Sequence, residues 1–234
     1  MIVDPQMLAA KLSGYARLAV PREAEWITGF IDCHDRVLYW MLCGWASDFC
    51  GWVIDYGTFP ETRRHQFYHS TFRPTLKERF PGTGTEGALV SGLEALAADL
   101  LSRRFRRDDG RDLGVSLLPV DTGYQANTIR QWMRTSRFKD RLLPSFGREA
   151  GPEEVPMSAF KQRSGERLGS DWLIRMPLKG RGTQRHLLFD TYIWKSFSAR
   201  ADEQPEPPAQ PFVEYLSGLR GIPARASQAA MAAA

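Results

Sequence analysis

Three apolar, partly β-branched runs follow one another almost without interruption in the first quarter of the chain: WITGFIDC (26–33), VLYWMLCGW (37–45) and GWVIDY (51–56). Only His34-Asp35-Arg36 and a short polar segment around Ser47-Asp48-Phe49 separate them. Connections this short join antiparallel neighbours, because a parallel return needs a dozen or more residues. The runs therefore predict an antiparallel meander. A stretch rich in proline and charge follows (60–87), read as an insertion or long loop with one short helix. In 89–105, Leu89, Leu93, Leu96, Leu100 and Leu101 fall on one helical face. The apolar run 115–120 is the next strand. A helix of that length is a crossover, which brings 115–120 back parallel to the first run.

An amphipathic helix (125–134) and another strand (142–146) extend the order to β-β-β-α-β-α-β. This predicts an α/β protein with a mixed sheet of ribonuclease H-like type: meander, crossover helix, parallel strand. The arginines Arg103, Arg104, Arg106 and Arg107 are read as the cap and solvated face closing the long helix, with a phosphate-contacting patch as the sharper alternative. Beyond Gly147 the texture becomes polar. Two further runs (172–176 and 186–189) flank KGRGTQR and predict a β-hairpin insertion carrying Lys179, Arg181 and Arg185. A short helix is expected at 191–199, with Trp194 and Lys195. Helical spacing at 5–19 ends before Pro21, and EQPEPPAQP begins a proline-rich linker. The expected organisation is a helical lead-in (1–21), the folded domain (22–200), and a linker with a disordered tail (201–234).

Composition narrows the chemistry. Lys and Arg outnumber Asp and Glu for a net charge of +4, which is compatible with a polyanionic partner. Cys33, Cys43 and Cys50 form no C-x-x-C pair, so neither a disulfide scaffold nor a zinc knuckle is expected, and a reducing cytosol is. His65 and His69 are four apart, but in a loop-like segment, so they read as solvated rather than as a zinc pair. A metal would then be held by carboxylates, which points to Mg²⁺ or Mn²⁺. The N-terminus does not resemble a signal peptide, and no apolar stretch approaches the roughly 20 residues of a membrane span. The expectation is a cytoplasmic protein without a membrane partner.

The candidate site rests on two aspartates. Asp32 ends the first strand, and Asp121 ends the strand after the crossover. If those strands are parallel neighbours, both carboxylates emerge at the carboxyl edge of the sheet, where open α/β sheets place ligands. Each also has an ordinary reading: Asp121 as a helix cap, Asp32 as a turn residue. Asp35 is placed in the turn, Asp55 is a weaker candidate, and His34 is read as a solvated turn histidine. Asp121-Thr122-Gly123 also matches the local signature of aspartic proteases. That reading needs a second such loop or an obligate dimer on an all-β frame, and here a helix follows.

The letters carry a resemblance as well. PREAEWITGFIDCHDRVLYWMLCGWASDFCGWVIDYGTFP, LLPVDTGYQANTIRQWMR and LLFDTYIWKSFSAR together resemble the nuclease domain of phage terminase large subunits of the lambda type, over roughly residues 21–200. The resemblance implies a metal-dependent, ribonuclease H-like endonuclease that cuts double-stranded DNA during genome packaging. Asp32 and Asp121 match the first two metal-binding carboxylates of a two-metal site, with Mg²⁺ or Mn²⁺. It further implies partners in packaging: the small terminase subunit, the portal, and an ATPase domain in trans. Two departures stand out. The chain has no G-x-x-x-x-G-K-S/T, so the translocating ATPase is expected to be absent from it. The family's third acid has no clear counterpart, as if the C-terminus were truncated; Asp190 is the substitute considered. Lys179, Arg181, Arg185 and Lys195 are the expected DNA contacts. The competing expectation is a catalytically impaired prophage remnant, or a module of the same fold that binds DNA or a packaging partner without cutting.

Overall fold

The computed structural model describes residues 15–48, 50–64, 67–148, 155–169, 171–178 and 184–193. The meander is present as β1 (Trp26–Cys33), β2 (Leu38–Trp45) and β3 (Gly51–Phe59), paired antiparallel in sequence. Helix α1 is one turn (Leu76–Arg79), capped by Thr75, whose hydroxyl accepts from the Glu78 N–H. Helix α2 (Gly84–Ser102) is the crossover. Then come β4 (Arg104–Arg106), β5 (Asp112–Asp121), α3 (Ala126–Thr135) and β6 (Leu142–Arg148). The short strands β7 (Arg167–Leu168) and β8 (Trp172–Arg175) and the last strand, β9 (His186–Asp190), complete the described chain.

Among the described residues these strands form one sheet in the order β3-β2-β1-β5-β6-β9-β8-β7, with β4 paired to β5 off that path. The contacts β1–β5, β5–β6 and β6–β9 are parallel, and the others are antiparallel. The expected meander, crossover helix and parallel strand are therefore observed, with β1 in the interior beside β5. The β8–β9 hairpin is also observed, although residues 179–183 of its turn lie outside the described residues.

Both α2 and α3 pack on one face of the sheet. Ile27, Ile31, Leu42, Leu118 and Val120 meet Leu89, Leu93, Leu96 and Leu100 of α2 and Ile129, Trp132 and Met133 of α3. Leu93 and Leu100 are fully buried, so Leu→Ala at either removes transfer energy and opens a cavity, a loss of about 2–5 kcal/mol. Gly29 belongs to this face: a Cβ there would lie 2.7 Å from Leu118 Cδ1 and 2.8 Å from Leu42 Cδ2. Glu94 ties the two helices together, its Oε2 accepting from Trp132 Nε1 (2.8 Å) and Ser136 Oγ (2.9 Å). The opposite face carries a smaller cluster of Trp26, Leu117, Leu143, Trp172 and Ile174.

The structure corrects the arginine tract. The helix starts at Gly84 and stops at Ser102 rather than running over 89–105. Arg103 is its C-cap, and residues 104–106 turn into a strand because Phe105 is buried between two exposed arginines. That strand pairs antiparallel with β5 around Asp108-Asp109-Gly110, where Gly110 has φ +88°. Arg107 is not a solvated cation. It is 9% exposed, donates to the Ala24 carbonyl (3.0 Å), and pairs with Asp109. The helix expected at 5–19 lies mostly outside the described residues, as does most of that at 191–199. No helix among the described residues is long and apolar enough to cross a membrane.

Candidate active site

β1 and β5 are parallel neighbours with Ile31 opposite Val120. Asp32 and Asp121 each stand one residue further on, at the carboxyl ends of their strands. Paired residues on adjacent parallel strands lie about 5 Å apart at the backbone and project to the same face. Ile31 and Val120 point into the helix-covered core, so the two aspartates project to the opposite face, where both are half-buried. The sequence pairing of these two residues is thus observed as a spatial one.

Their charges interact. Burial raises the Asp121 carboxyl above its ordinary value, the Gly123 N–H partly offsets this, and the charge of Asp32 pushes it up further. Cys33, between them in sequence but buried on the other face, is raised well above the usual thiol range, mainly by burial and then by Asp121 and Asp32. The Asp121-Thr122-Gly123 turn has a local purpose. The Gly123 N–H donates to Asp121 Oδ1 at 3.1 Å, and the buried Thr122 is tied to β6, its N–H and hydroxyl both donating to the Ser145 carbonyl. A Cβ on Gly123 would stand 3.3 Å from Asp121 Oδ2, so glycine keeps room beside that carboxylate. Asp121 also lies near the start of α3, whose N-cap residue Gln125 adopts a left-handed backbone (φ 48°) and makes no side-chain cap bond.

The Asp32 side has a shell that the sequence reading missed. His34 is not merely solvated: its Nε2 is 3.2 Å from Asp32 Oδ2. Its ring lies 5.1 Å from that of His69, and His69 Nε2 is 2.7 Å from Asp35 Oδ1. Tyr39 is only partly buried. Alternation along β2 sends it to the carboxylate face, where it stacks on Phe67 at 6.3 Å and meets His34 edge-on at 5.5 Å. Burial raises its phenol, with a further contribution from Asp32. Histidines after a strand and an aromatic at an alternating position were visible signals, but what joins them is the segment carrying Phe67 and His69 packing back beside β1 and β2, which no local pattern encodes.

The remaining candidates fall elsewhere. Asp55 is 4% exposed and held by Arg17 Nε (2.5 Å) and Arg103 Nη1 (2.7 Å), a structural knot away from the pair. Asp190 ends β9, two strands from β5 and three residues beyond the level of Asp121, or about 14 Å from it by sheet spacing. Its Oδ1 accepts from the N–H groups of Tyr192 and Ile193, so it caps the turn that follows. The structure does not bring Asp190 to the Asp32–Asp121 pair. Arg185 is exposed just before β9, whereas Lys179, Arg181, Lys195 and His65 lie outside the described residues. No group of three or more His, Cys, Asp or Glu arranged to hold a metal occurs among the described residues.

Residues 2–185 match the family described as terminase large subunit gpA, endonuclease domain. Asp32 and Asp121 lie inside the match; Asp190 and Lys195 lie beyond it. No curated protein and no solved structure matches the chain.

Proposed function

The chain belongs to the terminase large-subunit endonuclease family, and on that premise we propose that it hydrolyses phosphodiester bonds of double-stranded DNA using divalent cations held at Asp32 and Asp121. One observation carries the proposal: two acids from distant parts of the chain end adjacent parallel strands and share a face. The strand order β3-β2-β1-β5-β6, with its crossover helix, supports assigning the domain to the ribonuclease H-like class.

The donor set fits a hard cation. Two carboxylates whose charges oppose each other gain from a cation between them. Mg²⁺ and Mn²⁺ suit one or two carboxylates, completing their shells with water and substrate phosphate. Two such ions, when bound, stabilise the attacking and leaving oxygens of an in-line displacement at phosphorus. The chain's own residues set the geometry. Asp32 and Asp121 supply the oxygens, His34 steadies Asp32 through its Nε2, and the Gly123 N–H steadies Asp121. Substrate phosphates approach from the sheet face opposite α2 and α3. Asp190 acts as a cap outside this arrangement. In packaging the domain would work with a small terminase subunit, a portal and an ATPase supplied in trans, in the host cytoplasm.

Nicking of supercoiled plasmid tests the reading. Wild-type protein should relax and linearise plasmid with millimolar Mn²⁺ and not with EDTA. Asp32→Ala and Asp121→Ala should each lose about 100-fold or more. A wild-type protein that leaves plasmid intact at millimolar metal, whether or not it binds the DNA, would overturn the enzymatic reading in favour of a binding module.

A further inference from the structure

The stretch between β3 and α2 plays no part in holding the acids, yet it is fastened beside them. Phe67 stacks on Tyr39 and meets Phe72 edge-on at 4.9 Å. His69 bonds to Asp35, and the Leu76 N–H donates to the Arg36 carbonyl (2.8 Å). These contacts pin 67–76 to the β1–β2 turn that directly follows Asp32. Phe72 and Leu76 are buried, so this is an ordered arm with its own anchors.

The exposed side chains of this stretch have the opposite character. Residues 61–79 contain Arg63, Arg64, Arg73, Lys77 and Arg79 against Glu61 and Glu78. Arg63, Arg64 and Arg73 line one open depression. Arg73 pairs with Glu78, whereas Arg63 and Arg64 are exposed and have no ion-pair partner among the described residues. Tyr68 is 81% exposed although its backbone is held firmly: its N–H donates to Thr71 Oγ1 (3.3 Å), and its carbonyl accepts the Thr71 N–H (3.0 Å). A large aromatic presented to solvent on an ordered turn, in the same stretch of chain as exposed arginines, has the chemistry of a nucleic-acid contact. The site also requires such a surface. Without metal the two carboxylates repel a phosphodiester backbone, so docking of DNA ahead of metal needs cations nearby to supply the attraction.

We propose that residues 61–64 and 67–73 present a DNA-docking surface, with Arg63 and Arg64 contacting backbone phosphates and Tyr68 packing against the sugar-base edge, so that the duplex lies across the Asp32–Asp121 edge. The inference deepens the function proposed above and rests on it for the identity of the ligand.

Fluorescence anisotropy of a labelled 30-base-pair duplex, with the full chain in EDTA, separates binding from cleavage. Arg63→Ala/Arg64→Ala should weaken binding at least about tenfold at 150 mM salt and flatten the slope of log K against log salt by about two. Tyr68→Ala should weaken binding without changing the slope. Both should melt as wild type does, since the replaced groups are exposed. The charge-matched control Lys139→Ala/Lys161→Ala should stay within about twofold of wild type, because the contact is local. Wild-type affinity in the arm variant, an equal loss in the control, or no duplex binding by wild type would each overturn the docking assignment. Plasmid nicking by wild type would leave the cleavage proposal standing in any of these cases.

Discussion

Replacing Asp121 by Asn should make the metal-free protein more stable while removing its activity. The substitution keeps the shape and an oxygen that accepts the Gly123 N–H, and deletes one of two opposed charges. Side chains of paired residues on neighbouring parallel strands stand about 5–6 Å apart. Two unit charges at that distance, at an effective dielectric of about 20, repel by about 3 kcal/mol. The Asp32 side chain is 46% exposed, so solvent and salt reduce this to about 1 kcal/mol. For a domain of this size that is a rise of about 2–4 °C in Tm. The pH dependence has a definite sign. Burial, together with Asp32, raises the Asp121 carboxyl in the folded state. A carboxyl raised on folding binds its proton more tightly when folded, so the wild type loses stability as pH climbs from the ordinary carboxylate value, about 4, through the raised one. Calorimetric melts in EDTA from pH 4 to pH 8 should therefore show Asp121→Asn overtaking wild type as pH rises. An Asn variant that melts below wild type at pH 7, or whose advantage grows toward pH 4, would refute the juxtaposition of charges.

Glu166 makes the opposite case. Burial works to raise it, but bonds from Arg163 and Arg175 hold its carboxyl down to about 2. Glu166→Gln should cost about 2 kcal/mol in urea unfolding near neutral pH. That cost should be lost as pH falls from about 4.3 toward the depressed value. Asp190→Ala removes the acceptor for the Tyr192 and Ile193 N–H groups and should lower stability by about 1 kcal/mol. Plasmid nicking should stay within about twofold of wild type, and a hundredfold loss would return Asp190 to the metal site. Alkylation at pH 8 should label exposed Cys50 first. Cys33, buried, and Cys43, raised by burial to about 11, should react only on unfolding, which peptide mass mapping can follow.

How much of this was legible depended on whether the signal was local. The meander and crossover helix could be read because each follows from a periodicity: short turns force antiparallel pairing, and the leucine stripe of α2 requires a sheet to bury it. Pairing Asp32 with Asp121 needed only that topology. β4 was missed because four arginines outweighed one phenylalanine, although RFR-RDDG-RDLGV alternates about a turn as a hairpin does. The shell around Asp32 was beyond reach for another reason. Tyr39 with Phe67, and Asp35 with His69, join segments about thirty residues apart through a loop without regular periodicity, so nothing local specifies the contact. Asp55 was ambiguous in the same way: a strand-end acid looks alike whether it faces a cation or, as here, two arginines from distant segments.

Asp32 and Asp121 should act as one cation site. Titration of Mn²⁺ followed by the loss of its free-ion electron paramagnetic resonance signal measures that directly. Wild-type protein should bind saturably at neutral pH, while Asp32→Asn and Asp121→Asn, each still folded, should lose most of that binding. Asp190→Asn should bind as wild type does. Equal Mn²⁺ binding by wild type and both site variants would contradict the claim that these two strand ends form the metal centre.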